Sequence, residues 1–262
     1  MEGRLFPSAS LVSLGMYDLP EARHLTDAWW QGLARHLQAL GFEGLPTQLE
    51  RTLDEEQVWA SPELLLSQTC GYPLALNWHQ TLQPVLTPSY SAPGCNGIEY
   101  LSHIVVHADN TCRTVEELRG ARLAFNSEQS NSGWRMLLQL LNTLPASEEF
   151  IVNRRMSGAH RQSIEMVRLG QADYCAVDCV SHALLARHAP SALADTRVLC
   201  DTPRSVGLPY VTSRQLGGDR LQHLREAIFN ALEDPELKHI REELLISGGE
   251  VVELDDYMQM AH

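Results

Sequence analysis

Positive charge is scarce in this 262-residue chain. Its 20 Lys and Arg residues stand against 33 Asp and Glu residues, which gives a formal net charge of −13 at pH 7. A protein that binds nucleic acid in general needs a basic surface that displaces counterions from phosphates. The acidic balance therefore argues against a nucleic-acid partner. A small anionic ligand is still compatible with it, because a local pocket can oppose the field of the whole chain.

Long apolar runs are also missing. A helix that spans a membrane needs about 20 apolar residues, whereas runs such as 64–66 and 104–106 have the length of short strands. We therefore expect no membrane insertion. Residues 1–7 lack the basic start and apolar stretch of a signal peptide. The chain as written is expected to be cytoplasmic, or periplasmic if it is the mature form of an exported protein.

The sequence contains none of the common short motifs of nucleophilic, nucleotide-binding or zinc-dependent enzymes, such as Gly-x-Ser-x-Gly, Gly-x-Gly-x-x-Gly and His-Glu-x-x-His. Its six cysteines form no Cys-x-x-Cys pair, and the spacing of Cys175 and Cys179 from nearby histidines is not that of a zinc finger. We expect no catalytic residue, no metal and no cofactor. The thiols are expected to be free and buried on strands.

Short apolar stretches that predict strands alternate with segments of helical spacing. The predicted strands are 11–17, 63–67, 82–86, 100–107, 122–126, 150–153, 174–177, 197–200 and 210–212. The predicted helices are 21–40, a short one from a Thr114/Glu117 capping box to Gly120, 132–144, 161–169, 180–188, 220–232 and 235–246. The alternation runs twice, on either side of a loop-rich region at 87–99. This order predicts an α/β protein of two lobes with largely parallel sheets.

The strongest local signal is the segment N-S-E-Q-S-N-S-G at 126–133, which follows a predicted strand and opens a predicted helix. Ser130 and Ser132 supply hydroxyl groups, Asn131 supplies an amide, and Gly133 allows a close turn. The first turn of a helix has free N–H groups and the positive end of the helix dipole. The segment therefore indicates an oxyanion site, with simple capping of the helix as the alternative.

Four more side chains follow predicted strands, where the loops of α/β sheets line ligand sites. His160 lies in the turn S-G-A-H, where it either donates to an anionic oxygen or is an exposed loop residue. Asp178 ends a strand, where it either caps the next helix or binds the ligand. Tyr17 and Tyr72 each offer a hydroxyl on a flat apolar ring.

Taken together, these segments resemble the substrate-binding components of phosphate, phosphite and phosphonate ABC transporters, the PhnD-like branch of the type II periplasmic binding proteins. Five segments carry the resemblance in the same order. They are S-L-G-M-Y-D at 13–18, Q-T-C-G-Y-P at 68–73, T-V-E-E-L-R-G-A-R-L-A-F-N at 114–126, S-N-S-G at 130–133, and S-G-A-H at 157–160 with G-Q-A-D-Y-C-A-V-D at 170–178.

The resemblance implies a bilobed α/β fold of the type II periplasmic binding proteins, in which two lobes joined by hinge strands close on a ligand in the cleft between them. Lobe one would comprise residues 8–103 and 206–262, and lobe two residues 104–205. Tyr17 and Tyr72 would bind the ligand from lobe one. Lobe two would contribute Ser130, Asn131, Ser132, His160 and Asp178. Closure would desolvate the anion and strengthen its charge-assisted hydrogen bonds.

The implied function is that of a solute-binding protein, not an enzyme. It would capture a phosphonate, phosphite, phosphate or similar small oxyanion and deliver it to the permease of an ABC transporter. One position departs from the family, because Asn131 stands where the family has threonine, and this leaves a different oxyanion or a carboxylate open as the ligand. The absence of a signal peptide keeps a cytoplasmic enzyme or a ligand-sensing protein on the same fold as the alternative.

Overall fold

The computed structural model describes residues 10–261. The N-terminal residues on which the signal-peptide expectation rests, and the first two residues of the predicted lobe one, lie outside this range. Within residues 10–261, no helix combines the length and the apolar character that crossing a membrane requires.

The described residues form twelve strands. They are β1 (Leu11–Ser13), β2 (Leu64–Gln68), β3 (Leu82–Tyr90), β4 (Glu99–Tyr100), β5 (Ser102–His107), β6 (Leu123–Phe125), β7 (Arg154–Met156), β8 (Tyr174–Asp178), β9 (Thr196–Asp201), β10 (Ser205–Val206), β11 (Tyr210–Ser213) and β12 (Ile246–Glu250).

Nine α-helices accompany these strands in the same part of the chain. They are α1 (Arg23–Ala39), α2 (Glu55–Ala60), α3 (Gly71–Pro73), α4 (Met136–Leu141), α5 (His160–Arg168), α6 (Cys179–His188), α7 (Gly218–Glu233), α8 (Lys238–Glu243) and α9 (Leu254–Met258). A π-helical segment, Leu74–Trp78, continues α3, and another, Asn131–Arg135, leads into α4. The remaining short helical turns are of the 3₁₀ type.

The chain divides into two compact units. The first consists of the residues up to Tyr90 together with those from Gly207 onward, and the second of Ser91–Val206. The expected boundaries of the two lobes, at 103/104 and 205/206, stay a prediction.

The first unit contains a five-stranded sheet in the order β1-β2-β11-β3-β12. The helix α1 carries apolar residues at intervals of four, and its Trp29, Leu33 and Leu37 are buried in one core with Leu86 of β3 and Ile228 of α7. This spacing places them on one face of the helix, as the sequence predicts for 21–40. Burial of this face fixes α1 against the sheet.

The second unit contains a five-stranded sheet in the order β7-β6-β8-β5-β9, and a separate two-stranded ribbon of β4 and β10. Its core joins Leu137 and Leu141 of α4 to Ile104 of β5 and Tyr174 of β8. The helix that follows the segment 126–133 is therefore held by its apolar face. Its first turn follows the C-terminal end of β6.

The prediction of largely parallel sheets is wrong. In the first unit β1 and β2 are parallel, but β11 lies between β2 and β3 and is antiparallel to both. In the second unit β6 is parallel to β7 and β8, whereas β5 is antiparallel to β8 and β9. The alternation of strands and helices does not reveal this, because β11 enters the first sheet only after the chain has completed the second unit.

Two local predictions are also wrong. The strand predicted at 150–153 is preceded by a 3₁₀ turn and starts later, as β7, whose residues are all exposed and carry no burial pattern. The side chain of Thr114 makes no capping hydrogen bond, and Glu117 instead accepts from the backbone N–H of Arg113 at 2.7 Å. A capping box is instead present at α2, where the side chains of Asp54 and Gln57 accept from each other's backbone N–H groups.

The C-terminal part contains two elements that the sequence analysis did not predict, β12 and α9. The predicted helix 235–246 ends at Glu243, and β12 follows from Ile246. A Cβ atom on Gly249 would lie 2.4 Å from Cδ2 of Leu86 on the paired strand β3. Glycine at position 249 therefore allows β12 to pack closely on β3. Because glycine does not favour strands, the sequence gives little indication of β12.

All six cysteines are free thiols. Cys175 is buried on β8, as expected for these residues. The expectation is wrong for the others, because Cys179 begins a helix, Cys200 is only partly buried on β9, and Cys70, Cys95 and Cys112 lie outside the strands and are partly exposed.

Candidate functional site

The segment predicted to bind an oxyanion forms the first turn of the π-helical segment that leads into α4. The Ser130 hydroxyl oxygen accepts from the backbone N–H of Gly133 at 2.9 Å and so caps the helix. The backbone N–H of Arg135 donates to the carbonyl of Ser130 at 3.1 Å, a π-type bond that widens the first turn. The backbone N–H groups of such a first turn lack acceptors inside the helix. The turn therefore presents donors and the positive end of a helix dipole.

Ser132 and His160 are brought together in this turn. The Oγ of Ser132 lies 2.9 Å from Nε2 of His160, the first residue of α5. The preceding turn is tied to the end of β6, because the backbone N–H of Ser157 donates to the Phe125 carbonyl at 2.8 Å and that of Gly158 to the Asn126 carbonyl at 3.0 Å. His160 is thus not a free loop residue, and it forms a polar pair with a predicted anion-binding serine.

The ring of His160 is uncharged at neutral pH. The residue as a whole is partly exposed, but its Nδ1 atom is buried and makes no hydrogen bond within the described residues. Burial lowers the pKa of His160 to about 4; the nearby carbonyl of Ala176 opposes this shift, although the contact does not reach hydrogen-bond geometry. The pair with Ser132 is therefore a neutral hydroxyl–imidazole pair, with either group as the donor.

The side chain of Asn131 lies inside the second unit. Its Nδ2 donates to the hydroxyl oxygens of Tyr100 and Ser205, each at 3.0 Å, and the residue is fully buried. Tyr100 and Ser205 face each other in the β4–β10 ribbon. The amide therefore anchors the turn to this ribbon, and a ligand role of Asn131 stays a prediction.

Asp178 ends β8 at the same sheet edge. Its Oδ1 accepts from the backbone N–H of Ser181 at 2.8 Å, so the predicted capping role at α6 is confirmed. Because β6 and β8 are parallel, the turn after β6 and the end of β8 lie at the same edge of the sheet. Ser102, the β5 partner of Asp178, also donates from its hydroxyl to the carbonyl of Ser132 at 2.9 Å. A ligand role of Asp178 stays a prediction.

The two predicted tyrosines lie in the first unit, after the parallel strands β1 and β2. Tyr17 is buried and packs edge-to-face on Tyr90, with ring centroids 5.1 Å apart. Tyr72 is partly exposed in α3. A Cβ atom on the neighbouring Gly71 would lie 2.6 Å from Cδ1 of Tyr257, so the absence of a side chain there allows the Tyr72 segment to pack against α9.

A polar cavity of about 180 Å³ opens in the first unit beside the turn that carries Tyr17. Its walls include Asp18 and Arg51, and Arg51 Nε lies 2.5 Å from Asp18 Oδ2 while Nη2 lies 3.2 Å from Oδ1. This two-point pair raises the pKa of Arg51 and holds the cavity wall in place. The sequence analysis named neither as a site residue. Asp18 is the last residue of the segment S-L-G-M-Y-D, but Arg51 lies 33 positions further on and outside every quoted segment.

The sequence analysis also missed Asn126 as a site residue. Its Oδ1 is buried without a hydrogen-bond partner in the described part of the chain. A Cβ atom on Gly133 would lie only 1.8 Å from this Oδ1 and 3.2 Å from Cε1 of His160. Gly133 is thus required because the Asn126 amide lies against its Cα. The signal in the sequence was a polar residue placed directly after β6 and before the turn.

Among the described residues, no three or more His, Cys, Asp or Glu side chains are placed together to hold a metal ion. The candidate site of the second unit is therefore built from hydroxyl groups, amides, one imidazole and one carboxylate.

Comparison with solved structures shows the fold of the protein. The chain is similar to PhnD1 from Prochlorococcus marinus in complex with methylphosphonate, with 18% identity, a TM-score of 0.71 and 96% of each chain covered. It is also similar to a binding protein component of an ABC phosphonate transporter from Pseudomonas aeruginosa, with 16% identity, a TM-score of 0.72, and 95% of this chain and 83% of that chain covered. The alkanesulfonate-binding protein SsuA from Xanthomonas axonopodis pv. citri, bound to MOPS, gives 17% identity and a TM-score of 0.57 over 90% of this chain and 78% of that one.

These likenesses show the fold of the type II periplasmic binding proteins, and the predicted fold class is confirmed. Residues 63–257 match the family of phosphonate ABC transporter, periplasmic substrate-binding proteins. Because this match covers most of the chain, the protein belongs to that family, as the resemblance in the sequence predicts. A search among curated proteins finds no significant match.

The low pKa of His160 predicts a pH-dependent stability. Folding lowers this pKa from 6.5 to about 4, so the unfolded chain takes up the proton first as the pH falls. The stability from neutral His160 is complete above pH 6.5 and is lost between pH 6.5 and 4, by up to about 3 kcal/mol. Urea unfolding of a His160→Gln variant over this range should show a smaller loss than the parent protein.

The matched control is His239→Gln, which changes an exposed histidine of α8. It should keep the pH dependence of the parent protein. An unchanged slope in His160→Gln would show that folding does not lower the pKa of His160 and would contradict the buried neutral ring.

Proposed function

We propose that this protein captures a small phosphonate or a closely related oxyanion and delivers it to an ABC transporter. Membership of the phosphonate-binding family supports this, and so does the methylphosphonate complex of PhnD1, which has the same fold. The observation that carries the proposal is the turn 130–133, in which the first N–H groups of a helix, the hydroxyl of Ser132 and the ring of His160 meet.

The donors in this turn are uncharged. The chain as a whole is strongly acidic, so the long-range field repels an anion and short-range hydrogen bonds must supply the affinity. Hydrogen bonds to an ionised acceptor are roughly twice as strong as bonds between neutral groups. A tetrahedral oxyanion with three oxygens can accept from the backbone N–H groups of the turn and from the Ser132–His160 pair.

Asp178 supports selection of a phosphonate over other oxyanions. An ionised carboxylate only accepts hydrogen bonds. A singly ionised phosphonate keeps one O–H that can donate to it, whereas a sulfonate has no proton and would be repelled. We therefore assign Asp178 the recognition of the protonated phosphonate oxygen, in addition to its observed role at the start of α6.

The first unit is proposed to contribute Tyr17 and Tyr72 to the same ligand. Both follow parallel strands of one sheet, as ligand-binding loops of α/β sheets do. Their hydroxyl groups suit a ligand that has polar oxygens as well as a small apolar substituent. Transport also requires a transporter as partner, which membership of the family implies, and we propose that the permease of the ABC transporter is this partner.

The first test of this function is Ser132→Ala. The change removes one hydrogen bond to a charged ligand and leaves the helix cap at Ser130 intact. We expect the affinity for methylphosphonate, measured by isothermal titration calorimetry, to fall by a factor of about 5 to 30, which corresponds to about 1–2 kcal/mol. Ser127→Ala is the control from the same loop, because the Ser127 hydroxyl accepts from the backbone of Gln129. Equal affinities of both variants and the parent would place the ligand elsewhere.

A second test is Asn126→Asp, which keeps the shape of the side chain and adds a negative charge next to Gly133 and His160. At an effective dielectric constant of 20, like charges about 4–5 Å apart repel by several kcal/mol. We expect methylphosphonate affinity to fall by about 100-fold or more. Asn142→Asp, at an exposed position after α4, adds the same charge to the same unit and should change affinity little. A similar loss in both variants would indicate a general charge effect instead of a local site.

Specificity provides a third test, through Asp178→Asn. Asparagine also caps helices well, so the start of α6 should be retained. We expect the ratio of methylphosphonate to methanesulfonate affinity to fall by about tenfold, because the variant no longer repels the sulfonate and loses an acceptor for the phosphonate proton. Competition calorimetry with both ligands measures this ratio. A ratio that does not change would exclude Asp178 from ligand discrimination.

A further inference from the structure

Two thiols of the second unit lie next to each other. The Sγ atoms of Cys95 and Cys179 are 3.6 Å apart, although the residues are separated by 84 positions in the chain. Cys95 belongs to the loop before β4, and Cys179 is the first residue of α6. Both residues lie in the compact unit Ser91–Val206.

The backbone holds both residues in place. The N–H of Cys95 donates to the Ala92 carbonyl at 3.0 Å, and the N–H of Cys179 donates to the Leu101 carbonyl at 3.0 Å. Gly94, directly before Cys95, has a positive φ of 101°. A Cβ atom on Gly94 would lie 3.1 Å from Cβ of Cys179. The loop can therefore approach α6 this closely only with glycine at position 94, and the approach sets the distance between the thiols.

The two thiols differ in access and in acidity. Cys95 is partly exposed, whereas Cys179 is fully buried. A hydrogen bond from the Cys179 thiol lowers the pKa of Cys95, and the cationic Arg204 nearby contributes in the same direction. The same hydrogen bond, together with burial, raises the pKa of Cys179. Cys95 is thus the accessible thiolate former, and Cys179 is the thiol behind it.

We propose that Cys95 and Cys179 form a two-electron thiol–disulfide site that reacts with small-molecule disulfides. The thiolate of Cys95 attacks one sulfur of R–S–S–R, which forms a mixed disulfide and releases R–S⁻. The sulfur of Cys179 then attacks Sγ of Cys95, expels the second R–S⁻ and transfers its own proton to it. Two protein thiols are oxidised to one disulfide, and the small disulfide is reduced to two small thiols.

The geometry suits this reaction. The sulfur atoms must approach from 3.6 Å to about 2.05 Å, a movement within the reach of small side-chain rotations. The new bond would join the loop before β4 to the start of α6, directly after Asp178. Oxidation would therefore fix the strand end that carries Asp178. It would also close a long loop of the unfolded chain, which favours the folded state.

The test uses the whole protein and oxidised glutathione as the probe. The reduced protein is incubated with the probe, its remaining thiols are blocked with N-ethylmaleimide, and the products are analysed by mass spectrometry without reduction. We expect a peptide pair linked through Cys95 and Cys179, with a mass two hydrogens below the sum of the two reduced peptides. No glutathione should be retained on either peptide. The melting temperature should rise by about 5–10 °C.

Variants test the order of the two steps. In Cys179→Ser, glutathione should stay attached to Cys95, because no second thiol displaces it. Cys112→Ser, which removes another partly exposed cysteine of the same unit, should form the same linked peptide as the parent protein. Glutathione retained on Cys95 in the parent, an unmodified Cys95, or linkage of Cys95 to another cysteine would each overturn the proposal.

Discussion

The site of the second unit depends on one close approach, that of the Asn126 amide and the His160 ring to the Cα atom of Gly133. A side chain at Gly133 would collide with Oδ1 of Asn126 at 1.8 Å. Because the position is open, the turn after β6 and the start of α5 come together, and Ser132 meets Nε2 of His160 at 2.9 Å. In the proposed oxyanion site the donors would therefore be assembled by packing before any ligand is bound, which would reduce the ordering cost of binding.

Neutral donors suit a protein that must release what it binds. A buried ion pair holds an anion strongly but requires both charges to be desolvated. Here the ring of His160 is neutral, and the helix start contributes only partial charges. In the proposed site, selectivity would then come from the number and direction of hydrogen bonds. The ligand role that we propose for Asp178 would add a requirement for a proton on the ligand.

Much of this could be predicted from local sequence, because it depends on residues close together in the chain. The helix α1 follows from its apolar spacing, and the turn 130–133 from serine and glycine between a strand and a helix. The position of β11 between β2 and β3 could not be predicted, because it depends on pairing across the whole second unit. The inward direction of the Asn131 amide depends on Tyr100 and Ser205, which are 31 and 74 positions away.

A crystal structure of the protein with methylphosphonate tests the central claim most directly. The account predicts phosphonate oxygens within hydrogen-bond distance, roughly 2.6–3.2 Å, of Oγ of Ser132 and Nε2 of His160. Methylphosphonate bound away from the turn 130–133, or a turn that stays empty at ligand concentrations that saturate the protein in solution, would contradict it.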